Sequence, residues 1–306
     1  MLAEAASGIE ASRALCPYES CVRIGGISLA LNGSALDDVR VSRELEVFRN
    51  DSEAADIEVT VEWAEKLQPW RGEAVFDSGA LWTLFRDSEG FIFDFISPAF
   101  GVGPYKRLRT GKEFRRAQLI LNHKALQNHQ PVYPLEYPVD ELLITNYLAT
   151  GLGVEVHGCG LVDTQTGGHL FLGHSGAGKS TTTLLWKSLR DPQILSDDRI
   201  ILRLHDGELW MYGTPWHGEA AFAMPGKSRI RRIFIIEHGE QNQITPMTRS
   251  QAVGELFARS FPPFHNADAL ERTVEFLDRI LDTVPCYRFQ FIPDARAVDA
   301  VLEFHD

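Results

Sequence analysis

Gly173-His-Ser-Gly-Ala-Gly-Lys-Ser180 carries the spacing G-x-x-x-x-G-K-[ST] at every fixed position. The chemistry this spacing offers is phosphate binding. In such a loop, consecutive backbone N–H groups and a helix N-terminus point at one spot, where partial positive charge favours an anion. Gly176 and Gly178 permit backbone geometry that a side chain would block. Gly173, His174, Ser175 and Ala177 complete the cradle and Thr181 follows it. Lys179 would reach the β- and γ-phosphates of ATP, and the Ser180 hydroxyl would ligate Mg²⁺. Phosphoryl transfer also needs a group that takes the acceptor's proton and positive charge for the migrating group. Asp197-Asp198 are the candidates for base and for a further metal ligand. Neighbours in a strand face opposite sides, so both can serve only if the pair stands at a strand end. The competing reading, an Asp in an ion pair with Arg199 or Arg203, stays open. Lys227 and Arg229, in the basic run Lys227–Arg232, are candidates for the positive charge, with a solvated basic face as the alternative.

These residues need elements to hold them. Leu170–Leu172 reads as a short buried strand ending at Gly173, and Thr181–Leu189 as a helix whose Leu184, Leu185, Trp186 and Leu189 share helical spacing. Upstream, Pro138 opens a helix over Val139–Thr150, Gly151 and Gly153 end it, and Val154–Asp163 reads as strand and turn. Downstream, Gln193–Leu204 reads as one strand with the Asp pair embedded, followed by a hairpin at Asp206-Gly207 and a return strand Glu208–Tyr212. A strand over Lys227–Ile236 leads to helices at about Arg249–Arg259 and Asp268–Thr283. Val284–Ile292 reads as a strand, and Asp294 caps a last helix running to Glu303. The Pro-rich stretch His129–Pro138 marks a domain boundary, giving a lead-in at 1–20, a β domain at 21–130 and a phosphate-loop domain at 131–306. The β domain is expected to be antiparallel, with strands at Val22–Leu31, Glu44–Arg49, Ile57–Trp63, Ala80–Arg86, Phe91–Ile96 and Phe114–Leu121. Asp56–Glu62 alternates with period two, and its aromatic residues suit core packing.

A chain of 306 residues exceeds the usual single core. Its 30 basic and 42 acidic residues give a formal charge of −12, which argues against nucleic acid or an anionic membrane as the partner. The four cysteines contain no C-x-x-C pair and suit reduced thiols. No apolar run reaches membrane-spanning length, and Met1–Leu15 carries Glu4, Glu10 and Arg13 where a signal peptide has its apolar core. A cytoplasmic protein is expected.

His157-Gly158, the loop Gly173–Ser180 and Ser196-Asp-Asp198 occur in the order and approximate spacing of the catalytic domain of HPr kinase/phosphorylase, which the chain resembles. That family's fold is related to the phosphoenolpyruvate carboxykinases. The chain is most similar to divergent HPr kinase-like proteins, some of which accompany peptide-modification genes, through Gly213-Thr-Pro-Trp216 and Val284-Pro-Cys-Tyr-Arg-Phe289. The resemblance spans about residues 136–304. It implies an α/β (α+β) chain in which an antiparallel β domain precedes a P-loop, HPr kinase-like catalytic domain. It further implies an ATP- and Mg²⁺-dependent kinase of a hydroxyl acceptor, with Ser or Thr of a small protein or peptide as the expected class. Asp198 would be the base with Asp197 beside it, His157 would orient or tune that carboxylate, and Glu219 would be a second metal-binding carboxylate. Thr181 stands where the enzyme has Glu, and Met224-Pro-Gly-Lys-Ser-Arg229 replaces its basic loop, which points away from HPr and from phosphorylase activity. A nucleotide-binding sensor or scaffold without turnover and a small-molecule kinase are the alternatives; a homo-oligomer is left open.

Overall fold

The computed structural model describes residues 19–33, 39–51 and 54–305. The lead-in at 1–20, with Cys16, therefore lies outside the described residues except at its end. The other three cysteines, Cys21, Cys159 and Cys286, are buried. The architecture is mixed α and β, built on two eight-stranded sheets.

The first sheet contains β1 (Ser20–Ile24), β2 (Ile27–Gly33), β3 (Ile57–Ala64), β4 (Ala74–Asp77), β5 (Trp82–Arg86), β6 (Gly90–Ile96), β7 (Pro104–Gly111) and β8 (Arg116–Asn122), in the order β1-β2-β3-β8-β7-β6-β5-β4. The expected antiparallel domain is corrected to a mixed sheet: β3 pairs in parallel with both β2 and β8. Period-two alternation reports which face of a strand is buried and says nothing about neighbour direction. The single strand expected at Val22–Leu31 is a hairpin, because Gly25 and Gly26 turn the chain at φ +61° and +75°. Glu44–Arg49 is not a strand: the turn of helix α1 (Arg43–Glu46) lies there and buries Leu45.

Past the helical turn α2 (His123–Leu126), helix α3 (Val139–Leu148) lays Val139, Leu143, Ile144 and Tyr147 into the core of this first sheet. The same core takes in Ile201, Tyr212 and Trp216 from the second half of the chain. Apolar packing is thus continuous between the halves.

The second sheet holds β9 (Val154–Asp163), β10 (Gly167–Leu172), β11 (Gln193–Ser196), β12 (Arg199–His205), β13 (Glu208–Tyr212), β14 (Lys227–His238), β15 (Gln243–Pro246) and β16 (Cys286–Phe291). Its main path is β10-β9-β12-β13-β14-β16-β15, and β10 also pairs in parallel with β14, so five strands close on themselves. Helices α4 (Lys179–Arg190), α5 (Arg249–Phe257), α6 (Ala267–Ile280) and α7 (Ala295–Leu302) complete this half. Thr248 and Gln251 form a capping box on α5, and Asp294 caps α7 as expected. On α4 the buried stripe is Lys179, Thr182, Thr183 and Trp186, at i, i+3, i+4 and i+7, while Leu184 and Leu189 face outward. The apolar grouping expected around the four large side chains is thereby corrected. Burying Trp186 alone is worth about 2–3 kcal/mol, enough to fix the face. No helix among the described residues is long and apolar enough to cross a membrane.

The single strand expected at Gln193–Leu204 is also corrected. It breaks at Asp197-Asp198 into β11 and β12, which pair with different stretches of β9. The Asp pair therefore stands between two strand ends, the one placement that frees both side chains from strand alternation.

Candidate phosphoryl-transfer site

The loop after β10 has the geometry its sequence encodes. Gly176 and Gly178 sit at φ +80° and +100°, and a Cβ on Gly178 would lie 2.8 Å from the Phe291 ring. Gly178 is also the N-cap of α4 and offers no side-chain bond, so the first-turn donors of the helix are uncapped by side chains. Lys179 is largely buried; its Nζ donates to the carbonyls of Gly173 at 3.0 Å and His174 at 3.2 Å. Burial pushes the Lys179 ammonium below its ordinary pKa, against the opposing pull of Asp198. His174 and Ser175 are exposed at the loop tip, Ala177, Ser180 and Thr181 are half-buried, and Gly173 donates its N–H to His157 O at 3.3 Å. His238, unremarked in the sequence, meets the tip from β14, with Nε2 2.8 Å from Gly176 O.

That last bond of Gly173 connects the loop to the Asp pair. His157, on β9 opposite Arg199 of β12, places Nε2 2.9 Å from Asp198 Oδ1. The other oxygen of Asp198 lies 3.5 Å from Arg199 Nη1. Burial alone would raise the Asp198 carboxyl, but the His157 hydrogen bond and the charges of Arg199 and Lys179 outweigh it and hold the group below the usual carboxylate range. Asp198 is thus an ionised carboxylate at neutral pH, one-quarter exposed at its side chain.

Arg199 is itself held from behind. Its Nε lies 3.3 Å from the fully buried Glu155 and 3.4 Å from Glu141, and its guanidinium stacks 3.7 Å above the Phe261 ring. Burial raises both glutamates, with the charge of Glu141 adding to the rise of Glu155, and Thr145 donates to Glu155 at 2.7 Å. A cation held by two carboxyls and a ring is a rigid partner for Asp198.

Asp197 does something else. Buried at 1% exposure, it accepts backbone N–H bonds from Gly218 at 3.0 Å, Ala220 at 3.0 Å and Phe222 at 3.2 Å. Ser196 Oγ accepts the N–H groups of Asp198 and Arg199 and donates to Trp216 O, which stabilises the bend. Asp197 and Ser196 together gather the loop after Gly213-Thr-Pro-Trp216, and Glu219 stands exposed on it. Sequence offers the two aspartates as equivalents; the fold separates them.

Asp198 opens into a cleft of about 620 Å³ whose walls come from both halves of the chain, including Arg43, Tyr133 and Tyr137 on one side and Trp216 and His217 on the other. The basic run does not join it. Gly168 pairs with Ile230, so Lys227 and Arg229 lie at the opposite end of β10 from Gly173, roughly 16 Å away along the strand. There Lys227 stacks over Trp210 at 4.7 Å and Arg229 pairs with Glu208. The expectation that they neutralise the transferring phosphate is corrected; they form a solvated face. Arg199, weighed from the sequence as an ion-pair partner, does lie beside Asp198. Glu141, Glu155, His238, Arg259 and Phe261 are the neighbours that sequence reasoning passed over, and each reaches the site through a long-range pairing that leaves no local pattern.

Among the described residues no group of three or more His, Cys, Asp and Glu gathers as a metal cluster. A Mg²⁺ held by one or two side-chain oxygens with phosphates and water needs no such cluster. Ser180 and Asp198 supply hard oxygens of the right kind.

No protein-family model and no curated protein matches the chain. Among solved structures it is similar to the Hpr(Ser) kinase/phosphatase from Coxiella burnetii, at 11% identity and a TM-score of 0.28, over 48% of this chain and 93% of that one. A likeness that distant assigns no activity by itself.

Proposed function

We propose that the chain is an ATP-dependent kinase that transfers the γ-phosphoryl group to a hydroxyl acceptor. The observation that carries this reading is the bonded path from the phosphate loop to an ionised carboxylate: Gly173 N–H to His157 O, then His157 Nε2 to Asp198. A protein that merely bound nucleotide would have no use for a carboxylate so held beside its loop.

The loop amides, the α4 N-terminus and Lys179 bind the phosphates. Asp198 takes the proton of the acceptor hydroxyl as its oxygen bonds to the γ-phosphorus. The β,γ-bridging P–O bond breaks and its electron pair stays on the leaving nucleoside diphosphate. His157 and Arg199 orient Asp198 and keep it ionised until the proton arrives. When bound, Mg²⁺ screens the phosphate charge; Ser180 and Asp198 would hold it, with Glu219 at the rim. Asp197, its oxygens committed to three backbone N–H groups, shapes the loop that carries Glu219 and is not assigned base or metal duty.

The acceptor reaches Asp198 through the cleft shared by the two halves, which gives the first sheet its part in the reaction. Ser or Thr of a small protein or peptide is the expected acceptor. The cleft's volume, in the range that encloses a small molecule, favours a hydroxylated small molecule as the second reading. Calorimetry with Mg²⁺ and ATP, followed by transfer of labelled γ-phosphate to a panel of Ser/Thr peptides and polyols, tests the proposal. ATP affinity that is absent, or indifferent to Lys179→Ala, defeats it.

A further inference from the structure

The cleft at Asp198 does not end at Arg199. A second cavity of about 340 Å³ continues past it, and Tyr137 and Arg199 stand in the walls of both. This second cavity is aromatic. Phe76 and Trp82 come from the hairpin of β4 and β5, with ring centroids 5.2 Å apart, and Phe261 and Phe264 from the segment after α5. Backbone bonds set that segment against the site: Arg259 O accepts the N–H of His157 at 2.7 Å, and Phe261 N donates to Glu155 O at 3.0 Å. From there Pro262-Pro263 carry the chain across to the first sheet, where the His265 ring meets Phe91 edge-on at 5.4 Å. The pocket thus lies between the halves, one arginine away from the carboxylate.

Its rings are left uncovered. Phe264 is 63% exposed, and Phe76 and Tyr137 are exposed as well. Large apolar groups left open together around one pocket mark a surface that meets a partner. Its polar atoms are idle too. Asn146, 5% exposed, gives its Nδ2 to Leu142 O at 2.8 Å and leaves Oδ1 without a hydrogen-bond partner; His265 Nε2 is likewise buried and unpartnered. A buried acceptor without a donor costs stability, so the pocket suits a group that is apolar in bulk and brings an N–H or O–H. Burial and the Arg86 charge push His265 down to about 4, so its ring is neutral at pH 7. The Arg199 guanidinium in the wall disfavours a cationic side chain. Tyrosine and tryptophan answer this description. The outer edge of β4 argues for a polypeptide as their carrier: β4 ends the first sheet, pairs only with β5 among the described residues, and is exposed at all four positions. Its free edge offers backbone groups to an extended segment.

We propose that this pocket is a specificity site for a peptide acceptor, holding a Tyr or Trp side chain a few residues from the Ser or Thr whose hydroxyl meets Asp198. The proposal rests on the ATP-kinase reading above and narrows its acceptor from any hydroxyl to that of an aromatic-bearing peptide. The pocket takes no part in making or breaking bonds. It supplies binding that holds the hydroxyl near the carboxylate, and a shared wall keeps the two sites within the span of a few extended residues.

The test uses the full chain with Mg²⁺, ATP and short Ser peptides in which Trp, Tyr, Phe, Lys or Ala is placed in turn at each position around the Ser. Trp or Tyr at one position should raise kcat/KM about 10–100-fold over Ala, with Phe between and Lys no better than Ala. Phe264→Ala and Phe76→Ala, at exposed positions where the fold should survive, should erase that preference through KM while ATP affinity is kept. A flat scan overturns the proposal. So does a preference that survives both variants, or transfer to polyols with no peptide phosphorylated. Calorimetry on the Trp peptides with Ser replaced by Ala, and no nucleotide present, reads the pocket by itself. Peptide binding that both variants lose, in a protein that does not bind ATP, would keep the pocket as a peptide site and defeat the kinase reading. ATP spent on every peptide alike would keep the kinase reading and defeat the pocket.

Discussion

Asp197 and Asp198 are adjacent in the chain and opposite in circumstance. Asp197 turns inward and spends its oxygens on three backbone N–H groups of a loop. Asp198 turns toward the loop after β10 and a cleft, held by one histidine and one arginine. The difference teaches how a carboxylate's work is assigned: by what already occupies its lone pairs. An oxygen saturated by amides organises backbone. One held by charge-assisted side-chain contacts at the edge of a cleft can still take a proton.

The sharpest break in the comparison would come from the loop both residues flank. Lys179→Ala should abolish measurable turnover and weaken ATP binding by about 100-fold or more, because no nearby group replaces a point charge at the phosphates. Calorimetry and an ATPase assay measure this. Turnover surviving in that variant would leave Asp198 with no phosphoryl group to serve.

Next in size, Asp198→Asn should lower transfer by about 10²–10⁴-fold while ATP affinity is largely kept and the melting temperature falls less than in the Asp197 variant. Asp197→Ala should do the reverse. Orphaning its amides costs about 3 kcal/mol of stability, and activity per folded molecule should largely persist. Thermal melts and single-turnover rates on the same samples read both. If the two profiles exchange places, the division of roles is wrong.

A smaller effect tests the clamp. If Asp198 is the base, activity requires its ionised form, and the acid limb of the pH–rate profile should lie below the usual carboxylate range. Arg199→Met removes one of the charges that depress this carboxyl. Its pKa then rises and the limb moves to higher pH, by about one unit if that pairing is worth about 1.4 kcal/mol. The linked stability has the same sign: a depressed carboxyl stabilises the fold above its unfolded pKa, and that contribution is lost as pH falls through the folded value. An unmoved limb would mean Arg199 is only a packing partner for Phe261 and the glutamates.

The smallest effect concerns Glu219, exposed on the loop that Asp197 organises. Glu219→Gln should raise the Mg²⁺ concentration needed for half-maximal turnover about tenfold and leave the rate at saturating Mg²⁺ unchanged. A titration indifferent to the change would remove Glu219 from the metal's surroundings and leave Asp197 a purely architectural residue.

The conformation of residues 173–180 was legible because a loop of this kind is local: glycine freedom, an uncapped helix start and a lysine at fixed spacing are all written within one turn of chain. The helix of Trp186, the hairpin at Asp206-Gly207 and the Asp294 cap were legible for the same reason. Sequence even posed the condition on the Asp pair, that it stand at a strand end, without being able to meet it. Meeting it took β9, which pairs with β11 on one side of the break and β12 on the other. The parallel neighbours of β3, the remoteness of Lys227 and Arg229, and the arrival of Arg259 beside His157 are likewise products of pairing between distant segments. Period-two patterning and local propensity are blind to partner and direction. What a residue is lies in the sequence; which atoms take up its oxygens and nitrogens is settled by strands that the chain brings together only when it folds.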